Sequence, residues 1–252
     1  MIIDEMIECY RVRHNYTQAE VDRLLEVCPL AMAQLWNKMN PTTPDQVSNF
    51  YSSVDYTAEL LRYHDIESRR DKDMDIVIEV RAKNREARVL DFGCGMGVIG
   101  FMLKDVMPKL TVELYDLGSP AFDFGRDFNV SRKRPVEFVN TFDIQHRTYD
   151  FIICNDVLEH LIDQSLAETI DLLQSRLASP YGKIFAQIGF YHEPHIIPMH
   201  FEWTEKRCDI LRKVMRWEFW DVNHDFLNLV MQGRLGLKQN STVTANLGQP
   251  LS

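Results

Sequence analysis

The sequence predicts an α/β fold, a doubly wound and mostly parallel seven-stranded sheet behind an N-terminal helical cap. Three observations lead there. From Ala87 onward, short apolar runs alternate with segments of helical periodicity, the pattern of strands joined by crossover helices. The first apolar run ends in glycines, Val89-Leu-Asp-Phe-Gly-Cys-Gly-Met-Gly97, as a strand must when it turns sharply into a helix. The first ~80 residues lack that alternation and read as helical.

Each element follows from local chemistry. Thr17-Gln-Ala-Glu20 is a capping box opening a helix lined by Val21, Leu24, Leu25 and Cys28, which Pro29 is expected to interrupt. Pro41–Pro44 reads as a loop, and Val47, Phe50, Tyr51, Val54, Leu60 and Leu61 then recur at helical spacing. The charged run 67–73 reads as a solvated helix face or turn. Strands are expected at Val89–Phe92, Thr111–Tyr115, Val136–Val139, Tyr149–Cys154, Lys183–Ile188, Trp217–Val222 and Phe226–Met231. Helices are expected at Val98–Val106, after a capping box at Ser165–Glu168, and from Thr204 to Met215. The domain reading is a helical cap over 1–82, an α/β domain over 83–237 and a polar tail over 238–252.

Composition narrows the partners. A net charge of −9 repels a polyanion at long range, so broad capture of nucleic acid is disfavoured. No segment approaches the ~20 apolar residues of a bilayer span, and the N-terminal residues carry acids where a signal peptide needs an apolar stretch. Cys9, Cys28, Cys94, Cys154 and Cys208 include no C-x-x-C pair. Free thiols in a reducing, cytoplasmic setting account for them. The sequence carries no signal for oligomeric state.

The glycine loop suits a bound nucleotide, because the following helix offers free N–H groups and a positive dipole end. Gly95-Met-Gly97-Val-Ile-Gly100 formally satisfies the dinucleotide fingerprint. Asp91 argues for another ligand: a carboxylate at the strand tip sits poorly beside a pyrophosphate and well beside the ammonium of a methionyl group. Asp91, Gly93, Gly95 and Gly97 therefore favour S-adenosylmethionine. Asp116, 19 residues after Gly97, can accept both ribose hydroxyls. Asp143 is placed to accept from the adenine amine, with an Asx turn as the competing account. Leu117 and Ile144, beside those acids, are counted in the same pocket.

These stretches resemble the class I methyltransferase superfamily. The resemblance rests on VLDFGCGMG (89–97), VELYDL (112–117), the Asp143 segment, YDFIICNDVLEHL (149–161) and YGKIFAQIGF (181–190). It implies a Rossmann-like fold and S-adenosylmethionine as cofactor. Asn155 would lie near the sulfonium, and the N-terminal helices would close over the site, with Tyr51, Tyr56 and Tyr63 either lining that cap or serving as core.

Chemistry is expected beyond the carboxyl ends of the strands. An oxygen nucleophile needs a base, and His160, His195 and His200 are the candidates, three histidines falling within residues 192–200 alone. The leading reading is methyl transfer to an oxygen, or alternatively a nitrogen, of a small-molecule acceptor, with no metal. A second reading places a divalent ion on Asp156, Glu159, His160 and a later histidine. That set is similar to the ExxEH motif of small-RNA 3′-terminal 2′-O-methyltransferases, whose FEWT-like segment His200-Phe-Glu-Trp-Thr204 matches, although Asp156 stands where that family has glutamate. Lys206, Arg207, Arg212, Lys213 and Arg216 could then touch phosphates, the competing and preferred account being an ordinary amphipathic helix with Leu211, Val214 and Met215 inward. The V-L-E-H-L wording also occurs in enzymes similar to ubiquinone-pathway O-methyltransferases. A third reading is a non-catalytic S-adenosylmethionine-binding protein.

Overall fold

The computed structural model describes residues 2–83, 86–178, 182–189, 198–214, 217–223 and 226–232. Five helices precede the first strand: α1 (Ile2–Arg13), α2 (Gln18–Met39), α3 (Pro44–Ser53), α4 (Thr57–Asp65) and α5 (Glu67–Lys83). Strands and helices then alternate as β1 (Arg88–Phe92), α6 (Val98–Val106), β2 (Thr111–Tyr115), α7 (Pro120–Val130), β3 (Glu137–Phe138), α8 (Thr141–His146) and β4 (Phe151–Asn155). A 3₁₀ turn (Leu158–His160), α9 (Asp163–Ser175), β5 (Lys183–Gly189) and α10 (Glu205–Val214) follow. The parallel strands lie in the order β3-β2-β1-β4-β5. β6 (Trp217–Asn223) and β7 (Phe226–Gln232) pair antiparallel with one another, and β7 lies antiparallel against β5.

Alternation along the central strands builds two core layers. Val89, Phe151, Ile153 and Phe185 face the layer shared with α1, α6 and α7. Leu90, Ile152, Cys154, Ile184 and Ala186 face the layer under α8, α9 and α10. Successive side chains on opposite faces are what a pleated strand imposes. A third cluster, Met32, Trp36, Val47 and Phe50, joins α2 and α3 to Ile162, Met199 and Phe201 beyond the strand ends. Burying aromatic residues of this size contributes roughly 2–3 kcal/mol each. It docks the cap on the edge of the sheet that carries the site. α1 belongs to the main core too: Ile3, Met6 and Tyr10 are buried there, and Tyr10 meets Phe124 edge-on at 5.8 Å.

Three local expectations need correction. Helix α2 runs through Pro29. The carbonyl of Leu25, which the missing proline N–H cannot serve, accepts instead from the Cys28 thiol at 3.3 Å. Helix α9 begins at Asp163, so Ser165–Glu168 lies inside it and is no capping box. The charged run 67–73 is helical, but it is not wholly solvated. Arg69 and Asp73 are buried, and Arg69 bonds Gln187 of β5.

Candidate functional site

The switch between β2-β1 and β4-β5 opens a crevice at the carboxyl ends of β1 and β4, where open α/β sheets bind ligands. The glycine loop 93–97 lies there. Gly93, Gly95 and Gly97 all take positive φ, at 69°, 56° and 87°. A Cβ on Gly95 would also stand 2.6 Å from Leu60 Cδ1 of the cap, so that leucine tip would have to move. The loop is tied by the Gly95 N–H, which donates to Asp116 Oδ2 at 2.6 Å.

Two acids flank this loop. Asp91 is buried and accepts from the Gly100 N–H at 3.1 Å; burial pushes its carboxyl up to about 7. Asp116 rises to about 6, again through burial, although the N–H groups of Leu117 and Gly95 oppose the shift. Carboxyls with such raised values lack a compensating cation. Beside them, the Asn155 Oδ1 is buried without a hydrogen-bond partner among the described residues. An orphaned acceptor and two uncompensated acids around a glycine cradle fit a ligand with a cationic, hydrogen-bonding amino-acid end.

The other sequence-predicted pocket residues divide. Leu117 is 46% exposed at the rim. Ile144 is buried, with its N–H given to Asn140. Asp143 closes a capping box with Asn140, accepting from the Asn140 N–H at 3.0 Å, and its Oδ1 takes Arg147 Nη2 at 2.8 Å. Both oxygens thus have protein donors, the competing Asx-type account.

Beyond β4 the chain takes an unusual turn. Asp156 has a φ of 51°, so it is not helical and does not share a helix face with Glu159 and His160. Its carboxylate turns to the cap: Tyr63 donates to Oδ2 at 2.8 Å, and Arg69 Nη2 lies 2.7 Å away. Arg69 also pairs with Asp73 at 3.0 Å and bonds Gln187 of β5, while Asp73 meets His64 at 2.7 Å. Burial pushes the Asp73 carboxyl up, but His64 and Arg69 more than reverse this and hold it below its ordinary value. Sequence reasoning missed Arg69, because a charged helix gives no sign of which cation turns inward.

Glu159, His160 and His200 do come together. Each offers one ligand atom, and these lie within 4.8 Å of one another, a grouping that could hold a metal ion. The His160 and His200 rings are 4.7 Å apart, centre to centre. His160 Nδ1 faces the Tyr51 hydroxyl at 2.8 Å and the Met199 carbonyl at 3.1 Å. Burial drives its pKa down to about 3, assisted by His200. The imidazole is therefore neutral at physiological pH. His195 lies outside the described residues. The three cap tyrosines all send hydroxyls toward the strand ends, Tyr51 to His160, Tyr63 to Asp156 and Tyr56 to Ser119 at 3.1 Å. Their rings are also packed, so lining and core were not exclusive.

The proposed phosphate-facing set on α10 needs correction at Arg207, which is buried, with Leu211 also turned inward.

Comparisons with known proteins converge on one family. Residues 66–236 match the model of a methyltransferase domain. A curated relative, the ribosomal RNA small subunit methyltransferase C of Aliivibrio salmonicida, is 25% identical over 150 residues, 57% of this chain and 42% of that protein. The match thus spans well under half of the relative's length. Among solved structures, the PH0226 protein of Pyrococcus horikoshii superposes with a TM-score of 0.55 at 17% identity, covering 74% of this chain and 96% of the other. The N-methyltransferase NodS of Bradyrhizobium japonicum, in complex with S-adenosyl-L-homocysteine, gives a TM-score of 0.54 at 16% identity, covering 68% and 90%. These likenesses establish the fold.

Proposed function

The chain belongs to the methyltransferase-domain family, among the class I S-adenosylmethionine-dependent methyltransferases, and from that premise we propose that it methylates a hydroxyl oxygen of a small-molecule acceptor in the cytoplasm. One observation carries this reading: the His160 ring stands just beyond β4 beside Tyr51 and His200, under a roof of cap tyrosines. A roof whose hydroxyls reach the strand ends suits a compact acceptor better than a polymer. An acidic chain points the same way.

When bound, S-adenosylmethionine supplies an electrophilic methyl carbon on a sulfonium centre. Gly93, Gly95 and Gly97 with Asp91 would hold its amino-acid end, Asp116 and Leu117 its ribose side, and Asp143 with Ile144 its base; Asn155 would face the sulfonium. The remaining work belongs to the acceptor. His160 takes the hydroxyl proton at Nε2 while its Nδ1–H stays on the Met199 carbonyl, a tautomer that leaves the Nε2 lone pair available. His200 stands beside it as the alternative base. The cap excludes water, and alignment of oxygen with the methyl carbon supplies the rest.

A second reading is favoured by the convergence of Glu159, His160 and His200. A divalent ion held there would lower the pKa of a bound hydroxyl, including a ribose 2′-hydroxyl. Asp156, committed to Arg69 and Tyr63, would not join that set.

One experiment separates these readings: methyl transfer to hydroxyl- and amine-bearing small molecules and to RNA, with chelator and with added Mn²⁺. Turnover on a small hydroxyl that ignores chelator and disappears in His160→Asn is expected. Activity on RNA that a chelator abolishes and Mn²⁺ restores selects the second reading. Activity on amines alone removes the oxygen acceptor. Tight cofactor binding with no transfer to any of them points to a non-catalytic binding protein.

A further inference from the structure

The proposed transfer site rests on two separate pieces of chain, the turn 158–160 that carries His160 and the segment 199–203 that carries His200. Their backbones meet where the Phe201 N–H donates to the Glu159 carbonyl at 2.9 Å. One side chain from a third element holds both. Thr204 Oγ1 accepts from the Arg207 N–H at 3.3 Å at the start of α10, and the Arg207 side chain is buried. Its Nη1 then donates to the Leu161 carbonyl at 2.6 Å and its Nη2 to the Leu158 carbonyl at 3.1 Å. Those carbonyls belong to the residues on either side of Glu159 and His160. The face of the same guanidinium lies over Trp203 at 4.6 Å and near Phe201 at 5.8 Å.

We infer that Arg207 is the positioning residue of the His160–His200 pair, a single planar cation that fixes the turn bearing one imidazole against the strip bearing the other. The inference rests on the reading of that pair as the transfer site. Arginine suits the task for two reasons. The end of a short helical turn leaves carbonyls unsatisfied, and a rigid fork can serve two of them at set angles. Its flat face can meanwhile stack on aromatic rings, which an ammonium group cannot do with the same geometry. Arg207 acts through backbone and rings, and it also lies near enough to His160 to disfavour a charge on that imidazole.

The test uses the full chain labelled with ¹⁵N-histidine, as wild type, Arg207→Lys and Arg207→Gln, with the His160 nitrogens assigned by their loss in His160→Asn. Both variants are expected to fold and to bind S-adenosylhomocysteine as the wild type does. Their His160 nitrogen signals should move, more in Gln than in Lys, and turnover at saturating cofactor should fall about 10- to 100-fold, as misplacement of a reacting group does. Wild-type His160 signals in a folded Gln variant overturn the inference. If Gln does not fold, unmoved signals in the Lys variant do so. Displaced signals in the charge-keeping Lys variant with intact turnover uphold the positioning and count instead against His160 as the base, so the two claims fail separately.

Discussion

Asp91 shows how a single buried group can report its missing partner. Its carboxyl sits at about 7 because burial penalises the charge and one N–H from Gly100 does not offset it. The folded value lies above the ordinary 3.8, so the free protein holds this proton more tightly than the unfolded chain does. That contribution to stability is full below about pH 3.8 and is lost as pH rises toward 7. An ammonium group reverses the balance, because it needs the ionised acid. S-adenosylhomocysteine should therefore bind more tightly as pH rises from 5 to 7, by up to about tenfold per unit. Asp91→Asn should lose both the affinity and its slope. Calorimetry showing a flat pH dependence in the wild type would contradict the assignment.

At the scale of elements, the strand–loop–helix β1-α6 is the part most fully dictated by local chemistry. Apolar Val89 and Leu90 enter the two core layers, and three glycines with positive φ then turn the chain. Gly95→Ala should fail twice over. A φ of 56° costs an alanine about 1–2 kcal/mol, and the new methyl would press on Leu60 of α4. A lower melting temperature and at least about tenfold weaker S-adenosylhomocysteine binding are expected. Adding Leu60→Ala should recover only part of the loss, since it makes room without altering the backbone preference. Wild-type affinity in the single variant would show that the loop does not need this conformation. The charge patterns were less legible. Asp143 in a helix first turn and Asp156 before a turn look alike in sequence; one closes a capping box, and the other crosses to the cap.

Across the molecule, Arg69 is the joint between cap and sheet. It brings α5 to the end of β4 through Asp156 and to β5 through Gln187, with Tyr63 of α4 beneath its guanidinium at 4.7 Å. Removing the cation leaves the buried Asp73 with His64 as its remaining partner and the partly buried Asp156 with only the Tyr63 hydroxyl. Arg69→Met should therefore cost about 3–5 kcal/mol of stability. Hydrogen exchange should rise together in α4, α5 and residues 155–160, because all three lose the same anchor. Faster exchange confined to α5 would mean that the network is only a local staple. Among the described residues no helix is long and apolar enough to cross a membrane.

What the sequence determined by itself was whatever repeats at short range: strand and helix periodicity, the glycine turn, the acids at the tips of β1 and β2, and the nearness of Glu159 to His160. These depend on backbone dihedrals and on neighbours a few residues apart, which residue type controls directly. Only the tertiary structure decided which charges go inside. Arg69 and Arg207 look like any surface residue in one dimension, and they are buried because partners from distant segments supply the opposite charge or the accepting carbonyls. Ion pairs and stacked cations carry no period, so their pairing is set when the cap, the sheet and α10 close on one another.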